Sequence, residues 1–233
     1  MSFKSKKYTI VRQAISKDLA GFFANYFKIK KQVYITMLQH RYLSPFERMM
    51  GTFEDKQCYN TYSVYADIAM ETLLLKIQPV MEKTTGLKLT PNYSYARMYK
   101  KGDLLHRHKD RFGAEISATM NLGGDHWPIF LDPTGQSSVK PSAEDFVEES
   151  KRLIKNPNKG LKVNLKPGDM LVYSGCEIEH WREKFKGKEC IQVFLHYHNR
   201  KTLGAKDNMF DKRPHLGLPP WFKKDEPWFK EDE

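Results

Sequence analysis

Residues 167–182 read Pro-Gly-Asp-Met-Leu-Val-Tyr-Ser-Gly-Cys-Glu-Ile-Glu-His-Trp-Arg. Pro167-Gly168-Asp169 is turn chemistry, and Met170–Ser174 is a short apolar run of the kind that forms a buried strand. Ser174-Gly175 turns the chain again and delivers His180 to the mouth of the next strand. Working outward, Cys190–Tyr197 is a further strand, led by Gly187-Lys188-Glu189. Upstream lie Leu161–Leu165, Trp127–Leu131 closed by Asp132-Pro133, Ala114–Leu122 closed by Gly123-Gly124, and the alternating Tyr93–Tyr99. Short strands separated by tight turns predict an antiparallel sandwich or barrel. One stretch interrupts the pattern. Ser142 with Asp145 three residues on, followed by Phe146, Val147, Leu153 and Ile154, predicts a helical insert over 142–156.

The first third has a different character. Residues 7–15 are rich in β-formers and predict a strand. Ser16 offers an N-cap, with Asp18 in the first turn, for a helix carrying Leu19, Phe22, Phe23, Tyr26 and Phe27. A second helix is expected from Tyr59 to Lys83 on the spacing of Val64, Ile68, Leu75 and Val80, with Gly86 as its stop and Pro79 as a kink or break. The fold class is therefore α+β, and one domain of three parts: an N-terminal strand and supporting helices over 1–86, a β-rich core over 87–198, and a Pro/Trp-rich tail over 199–233. That tail repeats Pro-Trp-Phe-Lys at 220–223 and 227–230. Exposing two such aromatic pairs is costly, so the tail is expected to clasp the domain.

Composition limits the function classes. The chain has 233 residues, 40% hydrophobic and 13% aromatic, enough for a packed core and against extended disorder. No apolar run is long enough to span a membrane. Lys4, Lys6 and Lys7 make the start basic, but Arg12, Lys17 and Asp18 interrupt any leader-like run. Cys58, Cys176 and Cys190 form no CxxC pair and no even disulfide framework, which points to a reducing, cytoplasmic location. The net charge of +11 leaves nucleic acid as a candidate partner, but the lysines are scattered and no base-reading motif accompanies them.

Neither a Gly-x-Ser-x-Gly elbow nor a phosphate loop is present. Attention passes to the eight histidines. His108-Lys109-Asp110 is the only His-x-Asp or His-x-Glu in the chain. In extended backbone, residues i and i+2 project to one side, so this imidazole and carboxylate can share a metal. A second histidine from another strand completes two nitrogens and one oxygen on one face of an octahedron, the set suited to non-haem Fe(II). His180, between two turns and a strand, has such a position. A cosubstrate with a free carboxylate needs a cation deep in the barrel, and Lys188 is the candidate, with Arg182 and Gln192 as alternates. His106 lacks a carboxylate at i+2 and ranks as a neighbour. His196 and His198 read as surface or supporting groups, and Trp181 either walls the site or fills a core.

This combination resembles the 2-oxoglutarate and Fe(II)-dependent dioxygenases, in particular the prolyl-hydroxylase-like branch, over about residues 91–198. The resemblance implies a double-stranded β-helix, or jelly roll, with N-terminal helical support. It also implies Fe(II) held by His108, Asp110 and His180. The C5 carboxylate of 2-oxoglutarate would lie on Lys188, Tyr99 would line the cosubstrate pocket, and Arg97 would be a second carboxylate or substrate contact. The implied reaction consumes 2-oxoglutarate and oxygen, releases succinate and carbon dioxide, and hydroxylates a substrate the sequence does not name: a protein or peptide side chain, or an amino-acid-like small molecule. Two alternatives stand beside it: a nucleic-acid-modifying oxygenase, and a non-catalytic jelly-roll module that binds a metal or ligand.

Overall fold

The computed structural model describes residues 3–44, 47–134 and 159–224; the expected helical insert at 142–156 and the second Trp-Phe pair lie outside them. Among the described residues, three α-helices, α1 (Phe3–Lys6), α2 (Lys17–Gln39) and α3 (Ile68–Thr85), accompany ten strands. The strands are β1 (Tyr8–Val11), β2 (Tyr62–Tyr65), β3 (Leu89–Lys100), β4 (Leu105–His108), β5 (Ile116–Gly124), β6 (Ile129–Asp132), β7 (Leu161–Val163), β8 (Met170–Ser174), β9 (Glu179–Arg182) and β10 (Glu189–Asn199). They form a six-stranded sheet in the order β1-β8-β5-β10-β3-β2 and a four-stranded sheet in the order β4-β9-β6-β7. Every pairing is antiparallel. Sequence neighbours β4 and β5, and β8 and β9, lie in opposite sheets, so the chain crosses repeatedly between the two layers. This is the jelly roll that the resemblance implies, and one form of the antiparallel sandwich expected from the strand pattern.

The two-residue period of the strands sorts the large sheet into two faces. Ala96, Met98, Ala118, Met120, Leu122, Met170, Val172, Val193, Leu195 and Tyr197 join one buried cluster with Phe23 and Phe27 of α2 and Met70, Leu74, Ile77 and Met81 of α3. The alternating residues Tyr93, Arg97, Tyr99, Ser117, Thr119, Asn121, Gln192 and His196 are also buried, but on the face turned away from the helices. A second apolar cluster, Ile129, Leu131, Val163, Leu165, Leu171, Tyr173 and Ile178, joins the two sheets. The helices therefore cover the outside of the large sheet and leave a polar, aromatic interior between the layers.

Local chemistry explains where the helices differ from expectation. Ser16 caps α2, its side chain accepting from the Leu19 N–H, as the sequence implies. The helix expected from Tyr59 starts only at Ile68. Tyr62–Tyr65 instead pairs with β3, and Asp67 then caps α3 by accepting from the Ala69 and Met70 N–H groups. Pro79 removes one helix bond without ending α3, which runs on because Ile77 and Met81 on either side are fully buried. Gly86, at φ 71°, closes the helix.

The tail does fold back over residues 199–224, but polar groups hold it. Arg213 is fully buried and donates to Glu71 of α3 at 2.7 Å and to the Leu218 carbonyl at 2.6 Å. Asp211 takes both guanidinium nitrogens of Arg111, at 2.9 and 3.0 Å. Trp221, expected to be part of an aromatic clasp, stays 46% exposed. Removing one member of the buried Glu71–Arg213 pair leaves the other charge unmatched. Arg213→Ala is therefore expected to cost about 3–5 kcal/mol in a urea titration, while Trp221→Ala should stay within about 0.5 kcal/mol.

Candidate metal centre

β4 and β9 pair with a local irregularity. Leu105 faces Arg182 and His108 faces His180, so three residue steps on β4 oppose two on β9. This bulge turns the His108 ring inward beside His180, with ring centroids 4.2 Å apart. Asp110 follows in the turn, where its backbone N–H donates to the Gly175 carbonyl at 2.9 Å. Its Oδ1 lies 3.4 Å from His180 Nε2 and 3.7 Å from His108 Nε2. One donor atom from each of the three side chains falls within 4.8 Å of the others. Gly175 is required here by close approach: a Cβ would stand 2.5 Å from Asp110 Oδ2 and 2.8 Å from Ser117 Oγ.

Hydrogen bonds set both rings for ligation. His108 Nδ1 donates to the His106 carbonyl at 2.7 Å, and His180 Nδ1 donates to the Ile178 carbonyl at 3.1 Å. A carbonyl only accepts, so each Nδ1 carries a proton and each Nε2 is turned toward Asp110. Burial, reinforced by His180, pushes His108 down to about 3. Burial alone would raise Asp110, but the charge and hydrogen bond of His180, with His196 and His108 behind them, bring it well below the usual carboxylate range. A neutral imidazole and an ionised carboxylate are the forms a divalent metal requires.

Ser117 of β5 fixes the other side of the carboxylate. Its hydroxyl is 2.9 Å from Asp110 Oδ2 and 2.9 Å from His196 Nδ1. His196 can donate to the hydroxyl, which donates to Asp110, leaving Oδ1 for an ion. His196 is thus a supporting group, whereas His198, packed against the Phe112 ring and bonded to Glu115 and Asn208, is fully buried and structural, not at the surface. Trp181 points to the other face of β9, where it is half-buried, stacked on Phe130 and under Arg107, so it neither walls the site nor fills a core.

Lys188 is not where a barrel cation is needed. It is exposed in the bend before β10, and its backbone N–H donates to Asp125. The deep cation is Arg182, two residues beyond His180 on β9 and 1% exposed. Of the four buried arginines among the described residues, three hold acids: Arg97 has Asp55, Arg107 has Asp132 and Glu179, and Arg213 has Glu71. Arg182 holds none. Its Nη1 donates to the Trp127 carbonyl and its guanidinium lies over the Trp127 ring, but Nε and Nη2 are buried without a partner. Burial lowers its pKa, partly offset by Cys190, Tyr99 and Tyr173 around it. Tyr99 shares this end of the barrel, edge-on to Trp127 at 4.7 Å. Arg97 donates to the Tyr99 hydroxyl at 3.0 Å and is committed to Asp55. No local motif marks Ser117, Asp55 or Gln57 in the sequence. Gln57 Nε2 is 3.0 Å from His108 Nε2 across 51 positions of chain, a contact no local pattern encodes.

No protein-family model matches the chain, and no curated protein matches it. Solved structures do. A Pseudomonas putida prolyl-4-hydroxylase superposes with a TM-score of 0.52 at 13% identity, covering 85% of this chain and 95% of that one. The non-haem alpha-ketoglutarate-dependent carbocyclase SnoK from nogalamycin biosynthesis gives 0.59 at 12%, covering 84% and 80%. HygX from Streptomyces hygroscopicus, crystallised with nickel and 2-oxoglutarate, gives 0.53 at 11%, covering 85% of each. At these identities the likeness establishes the fold: a double-stranded β-helix shared with 2-oxoglutarate-dependent oxygenases.

Two outcomes are expected. His108 and His196 have pKa values near 3 and 4 in the folded chain, against about 6.5 unfolded. Below pH 6.5 the unfolded chain binds these protons first, so stability is full above that pH and falls as acid is added toward pH 4. The melting temperature of the metal-free protein should trace that window, and His196→Gln should flatten part of it. Ser117→Ala should weaken Mn(II) binding by about tenfold, since it removes the group that orients Asp110.

Proposed function

We propose that the chain is an Fe(II)- and 2-oxoglutarate-dependent dioxygenase that hydroxylates a protein side chain or an amino-acid-like small molecule, with release of succinate and carbon dioxide. The observation that carries the reading is the content of one strand, β9. It bears a metal-type histidine and, two residues on, a buried guanidinium with two unmatched donors. The spacing along the strand is about 6.7 Å, comparable to the length of a five-carbon dicarboxylate.

His108, Asp110 and His180 would hold the metal and leave its remaining positions to cosubstrate and oxygen. Iron and 2-oxoglutarate, when bound, supply the oxidising chemistry. The chain's own groups orient and enclose it. Ser117 and His196 hold Asp110, the two carbonyls hold the imidazoles, and the Nε/Nη2 edge of Arg182 receives the distal carboxylate as a two-pronged donor. Tyr99, Trp127, Phe185 and Cys190 make that end of the barrel apolar, which strengthens the pairing by keeping water out. No helix among the described residues is long and apolar enough to cross a membrane, and the three cysteines are unpaired, in keeping with a reducing cytoplasm.

The test is anaerobic titration of the Fe(II) protein with 2-oxoglutarate, followed by succinate release on admitting oxygen. His108→Ala, Asp110→Ala or His180→Ala should each cost at least about tenfold in metal affinity and remove succinate formation. Arg182→Met should raise the 2-oxoglutarate Kd by about tenfold or more with the metal retained, and Lys188→Ala should change neither. A wild-type Kd in Arg182→Met would overturn the cosubstrate assignment; metal binding indifferent to His180 would overturn the whole reading.

A further inference from the structure

The connection between α2 and β2 brings one more polar side chain to the metal centre. Residues 52–63 are closed by the bridge between Thr52 and Ser63, by the Asn60 N–H on the Phe53 carbonyl at 2.8 Å, and by buried Cys58 against Thr61. The tip is pinned to the inner face of β3. The Asp55 carboxylate takes the Tyr95 hydroxyl and the Arg97 guanidinium with Oδ2, and the backbone N–H of Gln57 with Oδ1 at 2.8 Å. Gln57 is thereby set in place before its side chain makes any contact.

The side chain then makes two. Arg97 Nη2 donates to Gln57 Oε1 at 2.9 Å, and Gln57 Nε2 lies 3.0 Å from His108 Nε2. Arg97 has only donors, so it decides the orientation of the amide: the oxygen must face Arg97 and the NH2 must face the metal side of His108. Turning the amide over would set an NH2 against a guanidinium. Gln57 is therefore held as a hydrogen-bond donor beside the Nε2 lone pair of a metal-type histidine. It is badly suited to ligate an ion. It is well suited to donate to an anionic oxygen bound next to that histidine.

Resting on the metal-centre reading above, we propose that Gln57 is a further positioning residue of that site, donating to the carboxylate or keto oxygen of the 2-oxo acid on the metal. Arg182 would then grip one end of the cosubstrate, while Gln57, oriented by Arg97 and Asp55, grips the other.

The experiment uses the full chain loaded with Ni(II), which binds without turnover, and titrates 2-oxoglutarate by calorimetry after Ni(II) affinity has been measured for each variant. Gln57→Leu removes the donor at similar volume and should weaken 2-oxoglutarate by about three- to tenfold. Gln57→Glu keeps an acceptor for Arg97 but presents an anion to the ligand, and should weaken it further. Ni(II) affinity should stay within about twofold of wild type in both, which a merely structural role for Gln57 would not produce together with the loss of cosubstrate. Wild-type 2-oxoglutarate affinity in either folded variant overturns the proposal. Ni(II) binding that survives His108→Ala, or wild-type protein that fails to take 2-oxoglutarate, overturns the metal-centre reading and this proposal with it.

Discussion

A strand buried on both sides has to place something on each face, and in this molecule the two faces are given to different tasks. β3, β5, β8 and β10 send one set of alternating side chains, nearly all apolar, against α2 and α3. The other set is tyrosines, serine, threonine, asparagine, glutamine, histidine and arginine, also largely out of water. Burying that second set would be prohibitive if it were not hydrogen-bonded, because each unmatched polar group costs about 1–3 kcal/mol. Most are matched: Ser117 to Asp110 and His196, Asn121 to the Leu165 carbonyl, Tyr95 to Ser63 and Asp55. The helices stabilise the fold from outside, and this freedom allows the interior to be polar.

Against that background the few unmatched groups carry information. Arg107 lies as deep as Arg182, but it has Asp132 and Glu179 at 2.5 Å each, and its burial is explained within the chain. Arg182 has a backbone carbonyl, an aromatic face and nothing anionic. An isolated buried cation is among the costliest features a domain can hold, and its persistence beside a triad of metal-type ligands is the strongest physical reason to expect an anion there.

The sequence carried the strand pattern and the turns well. Pro167-Gly168-Asp169 and Gly123-Gly124 are local signals, and β8 and β5 lie against them within a residue or two. His108, Asp110 and His180 were legible for the same reason: a short motif and a strand mouth are local. The cation was not. A lysine at the head of an apolar strand suits the cosubstrate, but the bend at 187–188 turns Lys188 to solvent, and the charge sits instead on β9, in the other sheet. Its depth follows from the pairing of β9 with β4, in which Leu105 meets Arg182, and pairing across 77 positions leaves no local trace. The same applies to Ser117 and Gln57, each placed by contacts between distant segments. The tail shows the converse error. Its aromatic repeat is conspicuous in the sequence, while the residues that anchor it, Asp211 and Arg213, carry no local signal and meet their partners only in the fold.

The division of labour extends to rigidity. His108, His180 and Arg182 project from paired strands, where backbone bonds fix them to within the tolerance a coordination sphere would demand. Asp110 is on a turn, and two polar restraints replace the missing ladder, its N–H on Gly175 and Ser117 on its side chain, while the glycine at 175 lets the two segments touch. Gln57 is on a longer connection still, and there the restraint is an acid, Asp55, bonded to two side chains of β3 and to the Gln57 backbone. Where the supporting element is less regular, polar restraints from other segments take the place of the strand ladder. That compensation is what a site needs if residues from a strand, a turn and a loop are to meet at one point, and it gathers polar matching around the candidate metal centre, not where stability alone would put it.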